Sequence, residues 1–91
     1  MEFDWDDANE AHIARHGVSK IEAEAVLVDP LAEIVDAETV GEEVRYRQVG
    51  STRGSRILIV IFTLRGSAVR PVTAFDATRF MARKYRQGSA Q

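Results

Sequence analysis

The protein has 91 residues, no cysteine and a formal net charge of −2, with 45% of its residues hydrophobic and 29% charged. This length predicts a single domain spanning 1–91, and the composition argues against a disordered chain, a disulfide framework or a cysteine zinc site. The longest apolar run, ILIVIF at 57–62, is too short to cross a membrane, and the acidic start lacks a signal-peptide pattern. We therefore expect a cytoplasmic protein with no membrane partner.

The charges are distributed unevenly along the chain. Residues 1–44 carry 13 acidic and 2 basic side chains, whereas residues 45–91 carry 1 acidic and 10 basic side chains. Such asymmetry predicts a surface on the second half that binds a polyanion or an acidic partner. The alternative is that the two halves neutralise each other within the fold.

The first predicted elements are a short strand and a helix. EFDW at 2–5 alternates between polar and apolar residues, which is typical of a strand. Asp6 or Asp7 is expected to cap the following helix, because a carboxylate accepts hydrogen bonds from the free N–H groups at a helix start. Gly17 is expected to end this helix.

A second helix is predicted over about 20–28. Ser19 followed by Glu22 is the pattern of a capping box at its start, and Pro30 is expected to end it. Apolar residues recur at i, i+4 and i+7, which predicts that the buried face contains Ile21, Ala25 and Val28, with Val26 and Leu27 widening the stripe.

Beyond the second helix, period-2 patterns predict strands. Residues 31–42 are expected to form a connection with a possible short strand, AEIVDA. Three further strands are predicted, separated by the turns TRGS and RGS: EVRYRQVGS (43–51), RILIVIFTL (56–64) and AVRPVTAF (68–75). The middle one is apolar throughout and should be buried on both faces, while Pro71 must lie at an edge or a bulge.

The last predicted element is a helix, ATRFMARKYRQ at 77–87, capped by Asp76 or Thr78. Residues 88–91 are expected to form a disordered tail. The predicted order is β-α-α-β-β-β-α, and short links between the last strands imply an antiparallel sheet covered by helices, which is an α+β fold.

The two histidines, His12 and His16, lie one helical turn apart. A metal site would need a third ligand, and HxxxH without the glutamate of HExxH is a weak signal, so we expect no metal and no cofactor. His16 stands in the last turn before Gly17, where a cation is favourable. Structural or capping roles are therefore expected.

Nine of the ten basic residues in the second half are arginines. Arg45 and Arg47 share one face of a predicted strand, and the others lie at turns or on the last helix: Arg53, Arg56, Arg65, Arg70, Arg79, Arg83, Lys84 and Arg86. Planar guanidinium groups match phosphate oxygens, and Tyr46 or Tyr85 could stack on a base. A solvated basic surface without function is the alternative.

Carboxylates are scarce in this half, where Asp76 is the only one. Two-metal nuclease chemistry needs several carboxylates and is not expected. RNA cleavage without metal stays possible: the RNA's own 2′-hydroxyl would attack, arginines would stabilise the phosphate, and a Tyr, Lys or His would move protons. No P-loop, Rossmann or nucleophile-elbow pattern is present.

Long stretches of the chain resemble a known family. FDWDDANEAHIARHGVSKIEAEAVLVDP, GEEVRYRQVGSTRGSRILIVIFTLR and VRPVTAFDATRFMARKYRQ, in this order, resemble the BrnT toxins of bacterial type II toxin–antitoxin modules over about residues 2–87. The resemblance implies a RelE-like fold and an endoribonuclease that blocks translation. It also implies neutralisation by a cognate BrnA-type antitoxin, in a higher-order complex that binds promoter DNA through the antitoxin.

The resemblance also implies which residues form the active site. The implied catalytic residues are Arg45, Arg47, Arg83 and Tyr85. The implied RNA-binding residues are Arg53, Arg65, Arg79, Lys84 and His16, the last being the histidine of HGVS. Whether the antitoxin meets the acidic first half or the basic catalytic side stays open.

Three departures from the family pattern affect the catalytic groups. Phe75 stands where many relatives have a basic residue, Met81 where many have glutamate, and Phe62 where some have histidine. These departures leave Tyr85 and Lys84 as the groups that could move a proton. The alternative function is a non-catalytic RelE-like module that binds a protein partner.

Overall fold

Five strands and three helices make up the part of the chain that the computed structural model describes, residues 1–89. The strands are β1 (Glu2–Phe3), β2 (Glu33–Val40), β3 (Glu43–Ser51), β4 (Ile57–Arg65) and β5 (Ala68–Asp76). The helices are α1 (Asp7–Ala14), α2 (Lys20–Leu27) and α3 (Arg79–Ser89). The predicted α+β class is confirmed, and the arrangement is compatible with a RelE-like fold.

All five strands belong to one sheet, in the order β1-β5-β4-β3-β2. Strands β2 to β5 are antiparallel neighbours, as expected for strands joined by short turns, and β1 pairs in parallel with β5. Pro71 lies where the register shifts between β4 and β5, because Ile61 pairs with Thr73 whereas Phe62 pairs with Pro71. The predicted bulge at this proline is confirmed.

Side chains of β4 alternate between two apolar clusters on opposite faces of the sheet. Leu58, Val60 and Phe62 pack with α1 and α2, whereas Ile57, Ile59 and Ile61 face α3. The prediction that this strand is buried on both faces is confirmed. Helix α3 covers only part of its face, where its side chains pack on Val49, Ile57 and Ile59.

Strand β2 differs from the sequence expectation. It has eight residues, all of them exposed, where a connection with a possible short strand was predicted, so the observed order is β-α-α-β-β-β-β-α. The physical reason is its position at the edge of the sheet. A strand without a buried face has no need of the apolar alternation by which strands are recognised.

The predicted buried face of α2 is wrong at Ile21 and Val28 and right at Val26 and Leu27. Ile21 and Val28 are 78% and 55% exposed, whereas the buried residues are Ala23, Val26 and Leu27. Apolar residues surround this short helix, so periodicity alone does not choose a face. The choice is made by packing: at Gly50 of β3 an added Cβ would lie 3.0 Å from Cγ1 of Val26, so a larger residue would push α2 or the Val26 side chain away.

The helix ends follow local rules that the sequence predicted. Asp6 caps α1 by accepting a hydrogen bond from the Asn9 N–H at 2.8 Å, and Ser19 and Glu22 form the capping box of α2. Thr78 accepts the Met81 N–H at 3.2 Å. Helix α3 continues through Ser89, into the predicted tail at 88–91, whose last two residues lie outside the described residues.

Arginines of the second half neutralise part of the acidic first half. Arg56 donates to Asp76, to Glu22 and to the carbonyl of Gly17, joining the corner between α1 and α2 to the sheet. These contacts lower the pKa of Asp76. Other bridges of this kind join Arg70 to Asp4 and Asp6, and Arg65 to Asp4. The hypothesis that the two halves neutralise each other is therefore confirmed in part, and the polyanion-binding surface stays a prediction.

Candidate functional site

Arg45 and Arg47 lie side by side on the part of the sheet that α3 leaves uncovered. Their side chains point to the α3 side of β3, as the alternation with Tyr46 requires. They line a small groove of about 90 Å³ between β2, β3, β4 and β5. We call it the β2–β3 groove; its lining residues are Asp36, Ala37, Glu38, Arg45, Arg47, Ile61, Val72 and Thr73.

The two arginines differ in whether their guanidinium groups are already paired with a carboxylate. The Nε of Arg45 donates to Oε1 of Glu43 at 2.9 Å. Arg47 is exposed, and its side chain forms no hydrogen bond or ion pair with the other described residues. Its guanidinium is therefore available for a bidentate contact with an anion such as a phosphate.

Two carboxylates that the sequence reasoning did not assign to a site share this groove. Asp36 is the cross-strand partner of Arg47, and Glu38 is the partner of Arg45. Neither pair is joined by a salt bridge among the described residues. The groove thus combines anion-binding groups with proton acceptors. The available signal was the spacing of Asp36 and Glu38 two residues apart, which puts both on one face of a strand.

The hydroxyl of Tyr85 serves as a structural contact. It donates to Oδ2 of Asp29, which also accepts the Ser51 N–H at 2.8 Å, so α3 is tied to the end of α2 and to β3. Burial and this hydrogen bond raise the pKa of Tyr85 to about 12. Burial acts to raise the pKa of Asp29 as well, but its hydrogen bonds outweigh this and lower it. Tyr85 is thereby a poor proton acceptor near neutral pH.

The Tyr85–Asp29 contact predicts a loss of stability at alkaline pH. The folded-state pKa of about 12 exceeds the ordinary tyrosine pKa of 10.0, so the contribution is present below pH 10 and is lost as pH rises towards 12. Replacing Tyr85 by phenylalanine is expected to remove this part of the pH dependence. Urea unfolding at pH 8 to 12 measures the free energy of unfolding, with Tyr46→Phe as the matched control. If this free energy falls with pH equally for Tyr85→Phe and the unaltered protein, the assignment is contradicted.

The other predicted site residues on α3 are spread around the helix. Lys84 lines a second groove with Glu33, Val35, Val49, Phe80, Met81 and Tyr85. At 3.6 residues per turn, Arg83 lies roughly opposite Tyr85 and so points away from the sheet. Arg79 is also exposed. The predicted grouping of Arg83 with Arg45 and Arg47 thus does not follow from the helix orientation.

Three predicted RNA-binding residues lie at separate places. Arg53 belongs to the turn after β3, and Arg65 ends β4 at the opposite end of the sheet, 4.0 Å from Asp4. His16 contacts His12 edge-on, with ring centroids 5.5 Å apart, and lies 6.3 Å from the ring of Phe75. These residues therefore do not converge on the β2–β3 groove.

Within residues 1–89, no group of three or more histidine, aspartate or glutamate side chains is placed to hold a metal ion. None of the described helices is long and apolar enough to span a membrane.

A comparison with known protein families identifies one that matches most of the chain. A family model described as the ribonuclease toxin BrnT of type II toxin–antitoxin systems matches residues 5–80. No curated protein matches the chain. The matched region contains strands β2 to β5 with Arg45 and Arg47, and it ends before Arg83, Lys84 and Tyr85 of α3.

Proposed function

Because the chain belongs to the BrnT family of ribonuclease toxins of type II toxin–antitoxin systems, we propose that it cleaves RNA in the β2–β3 groove without a metal ion. The observation that carries the proposal is the free guanidinium of Arg47 beside Arg45, on the open part of the sheet. The family implies RNA as the substrate class and an antitoxin protein as partner.

The proposed reaction uses the RNA's own 2′-hydroxyl as the nucleophile. Its oxygen forms a bond to phosphorus while the bond from phosphorus to the 5′-oxygen breaks, which yields a cyclic phosphate and a 5′-hydroxyl after that oxygen takes a proton from water. Arg47 and Arg45 donate hydrogen bonds to the non-bridging oxygens, where negative charge increases in the transition state. Glu38 accepts the proton from the 2′-hydroxyl.

The choice of Glu38 rests on the surroundings of the candidate bases. Tyr85 donates a hydrogen bond to Asp29, and because its pKa is about 12 it keeps its proton near neutral pH and cannot take one from the substrate. In the groove, Oδ1 of Asp36 already accepts the Ala37 N–H at 2.9 Å. Glu38 lies opposite Arg45 and forms no salt bridge with the other described residues, so its carboxylate is free to act.

Replacing Arg47 by alanine is expected to lower the RNA cleavage rate by about 10²–10³-fold, because a donor to the developing charge is lost. Lysine at this position should restore only part of the rate, since it lacks the planar fork. The measurement is cleavage of a labelled RNA by the purified protein in EDTA, with Arg15→Ala of the exposed α1 end as control. The proposal is wrong if the unaltered protein leaves the RNA intact, or if Arg47→Ala retains full activity.

In the cell, the proposal is that RNA cleavage by the free toxin stops translation, which places its action in the cytoplasm. A BrnA-like antitoxin neutralises it, and the resulting higher-order complex reaches promoter DNA through the antitoxin. Tightly controlled expression with and without the antitoxin tests this. Unchanged growth and protein synthesis after induction of the toxin alone would contradict it.

A second function, a non-catalytic module that binds the antitoxin, is favoured by one observation. Asp36 and Glu38 stand beside the two arginines and repel phosphate. Under this alternative the purified protein leaves RNA intact yet binds the antitoxin tightly, which separates it from the ribonuclease proposal.

A further inference from the structure

The two edges of the sheet are protected unequally. One edge is closed by β1, by the bulge at Pro71 and by α1, which packs on β5. The other edge is β2, whose eight residues are all exposed and include no proline. In a regular antiparallel strand every second residue directs its N–H and C=O away from its paired neighbour, so β2 offers outward hydrogen-bonding groups at this edge. Its register shifts between Ile34 and Asp36, and the Ala37 N–H is accepted by Oδ1 of Asp36.

Exposed apolar side chains are concentrated around this edge. Of the ten large apolar side chains exposed in residues 1–89, five lie on β2 or beside it: Ile34, Val35, Val40, Val44 and Phe80. Ile34 and Ala37 lie on the α2 side of β2, because they pair with Gln48 and Tyr46. A partner strand would therefore find apolar surface on one face.

The opposite face of the same edge is acidic. Glu33, Asp36 and Glu38 lie on the α3 side, where they pair with Val49, Arg47 and Arg45. Residues 33–43 contain five acidic residues and no lysine or arginine, and of these five only Glu43 forms a salt bridge within residues 1–89. Two copies of this edge would repel each other, whereas a basic segment would be attracted.

We propose that the free edge of β2 binds an extended segment of alternating apolar and basic residues in the antitoxin, which joins the sheet as an added strand. Its backbone pairs with β2, its apolar residues cover Ile34, and its basic residues face Asp36 and Glu38. The identity of the partner rests on the proposed function, but the surface and its chemistry do not. The basic residues of such a segment would also pair with the carboxylates of the β2–β3 groove, so binding of the antitoxin would block RNA cleavage there.

The test is hydrogen exchange of the full-length protein with and without a short capped peptide of alternating valine and lysine. Slower exchange of the amides in 33–40 is expected with this peptide, and not with the counterpart in which glutamate replaces lysine. Unchanged exchange in β2, equal protection by the glutamate peptide, or protection confined to the exposed apolar residues of α2 would overturn the proposal. A free protein that is already a dimer with β2 protected would overturn it too.

A second test measures the affinity of the antitoxin for two matched variants of the protein. Ile34→Lys should weaken antitoxin binding by about tenfold or more because it places a charge on the edge. Ile21→Lys, at a side chain that is even more exposed but lies on α2, should leave affinity unchanged. An equal loss for both variants would overturn the proposal.

RNA cleavage by the free protein is assayed separately, so the two proposals fail independently. If the protein cleaves RNA but the antitoxin does not slow amide exchange in β2, the proposal of β2 as the binding edge is refuted and the ribonuclease function stands. If the antitoxin slows exchange in β2 but the protein does not cleave RNA, the ribonuclease function is refuted and the binding edge stands.

Discussion

Replacing Glu38 by glutamine is expected to lower the rate of RNA cleavage by about 10²–10⁴-fold, the range associated with the loss of a general base. Glutamine has the same shape and keeps a hydrogen-bonding oxygen, but it cannot take up the proton of the 2′-hydroxyl. Because Glu38 is exposed at a sheet edge, the substitution should not change the fold. Single-turnover cleavage of a short RNA in EDTA measures the effect on the chemical step.

Asp36→Asn is the matched control, since Asp36 lies in the same groove and the change removes the same charge. It should keep the catalytic rate and lower the KM, because it removes a repelling charge beside Arg47. Equal losses for both variants would show that the carboxylates act together through the local potential. Full activity of Glu38→Gln would place the general base elsewhere.

The largest expected effect on stability follows from Leu58→Ala in β4. Leu58 is completely buried in the cluster that α1 and α2 form with the sheet. Its truncation should cost about 2–5 kcal/mol, from lost burial and from the cavity left behind. A domain of this size has about 5–15 kcal/mol in total, so much of the free energy of unfolding would be lost. Urea unfolding at neutral pH measures it.

Leu64→Ala provides the control on the same strand. Leu64 is 54% exposed, so the same truncation should change the free energy of unfolding by no more than about 0.5 kcal/mol. Similar losses at both positions would mean that β4 is not buried as described.

Among the site residues, the strand alternation correctly put Arg45 and Arg47 on one face, since they are two residues apart on β3. The carboxylates that join them were not found, because Asp36 and Glu38 lie on a strand without a buried face. The role of Tyr85 also required the structure, since its partner Asp29 is 56 residues away along the chain.

The sequence by itself determined the features that depend on neighbouring residues. These are the caps at Asp6 and Ser19, the strands from 43 to 76, and the bulge at Pro71. Each follows from a local rule: a side chain that meets free N–H groups, an alternation of period 2, or a proline without a donor.

The tertiary structure decided what depends on residues far apart in the chain. It chose the buried face of α2, because Gly50 admits Val26 more closely than any other residue would. It made β2 a strand, because the backbone N–H and C=O groups of β2 pair with those of β3, although the side chains of β2 show no apolar alternation. Because β2 and β3 form a hairpin, that pairing brings Asp36 and Glu38 to the arginines and leaves one edge of the sheet free, so the candidate chemistry and the proposed antitoxin surface both arise from the same strand pairing.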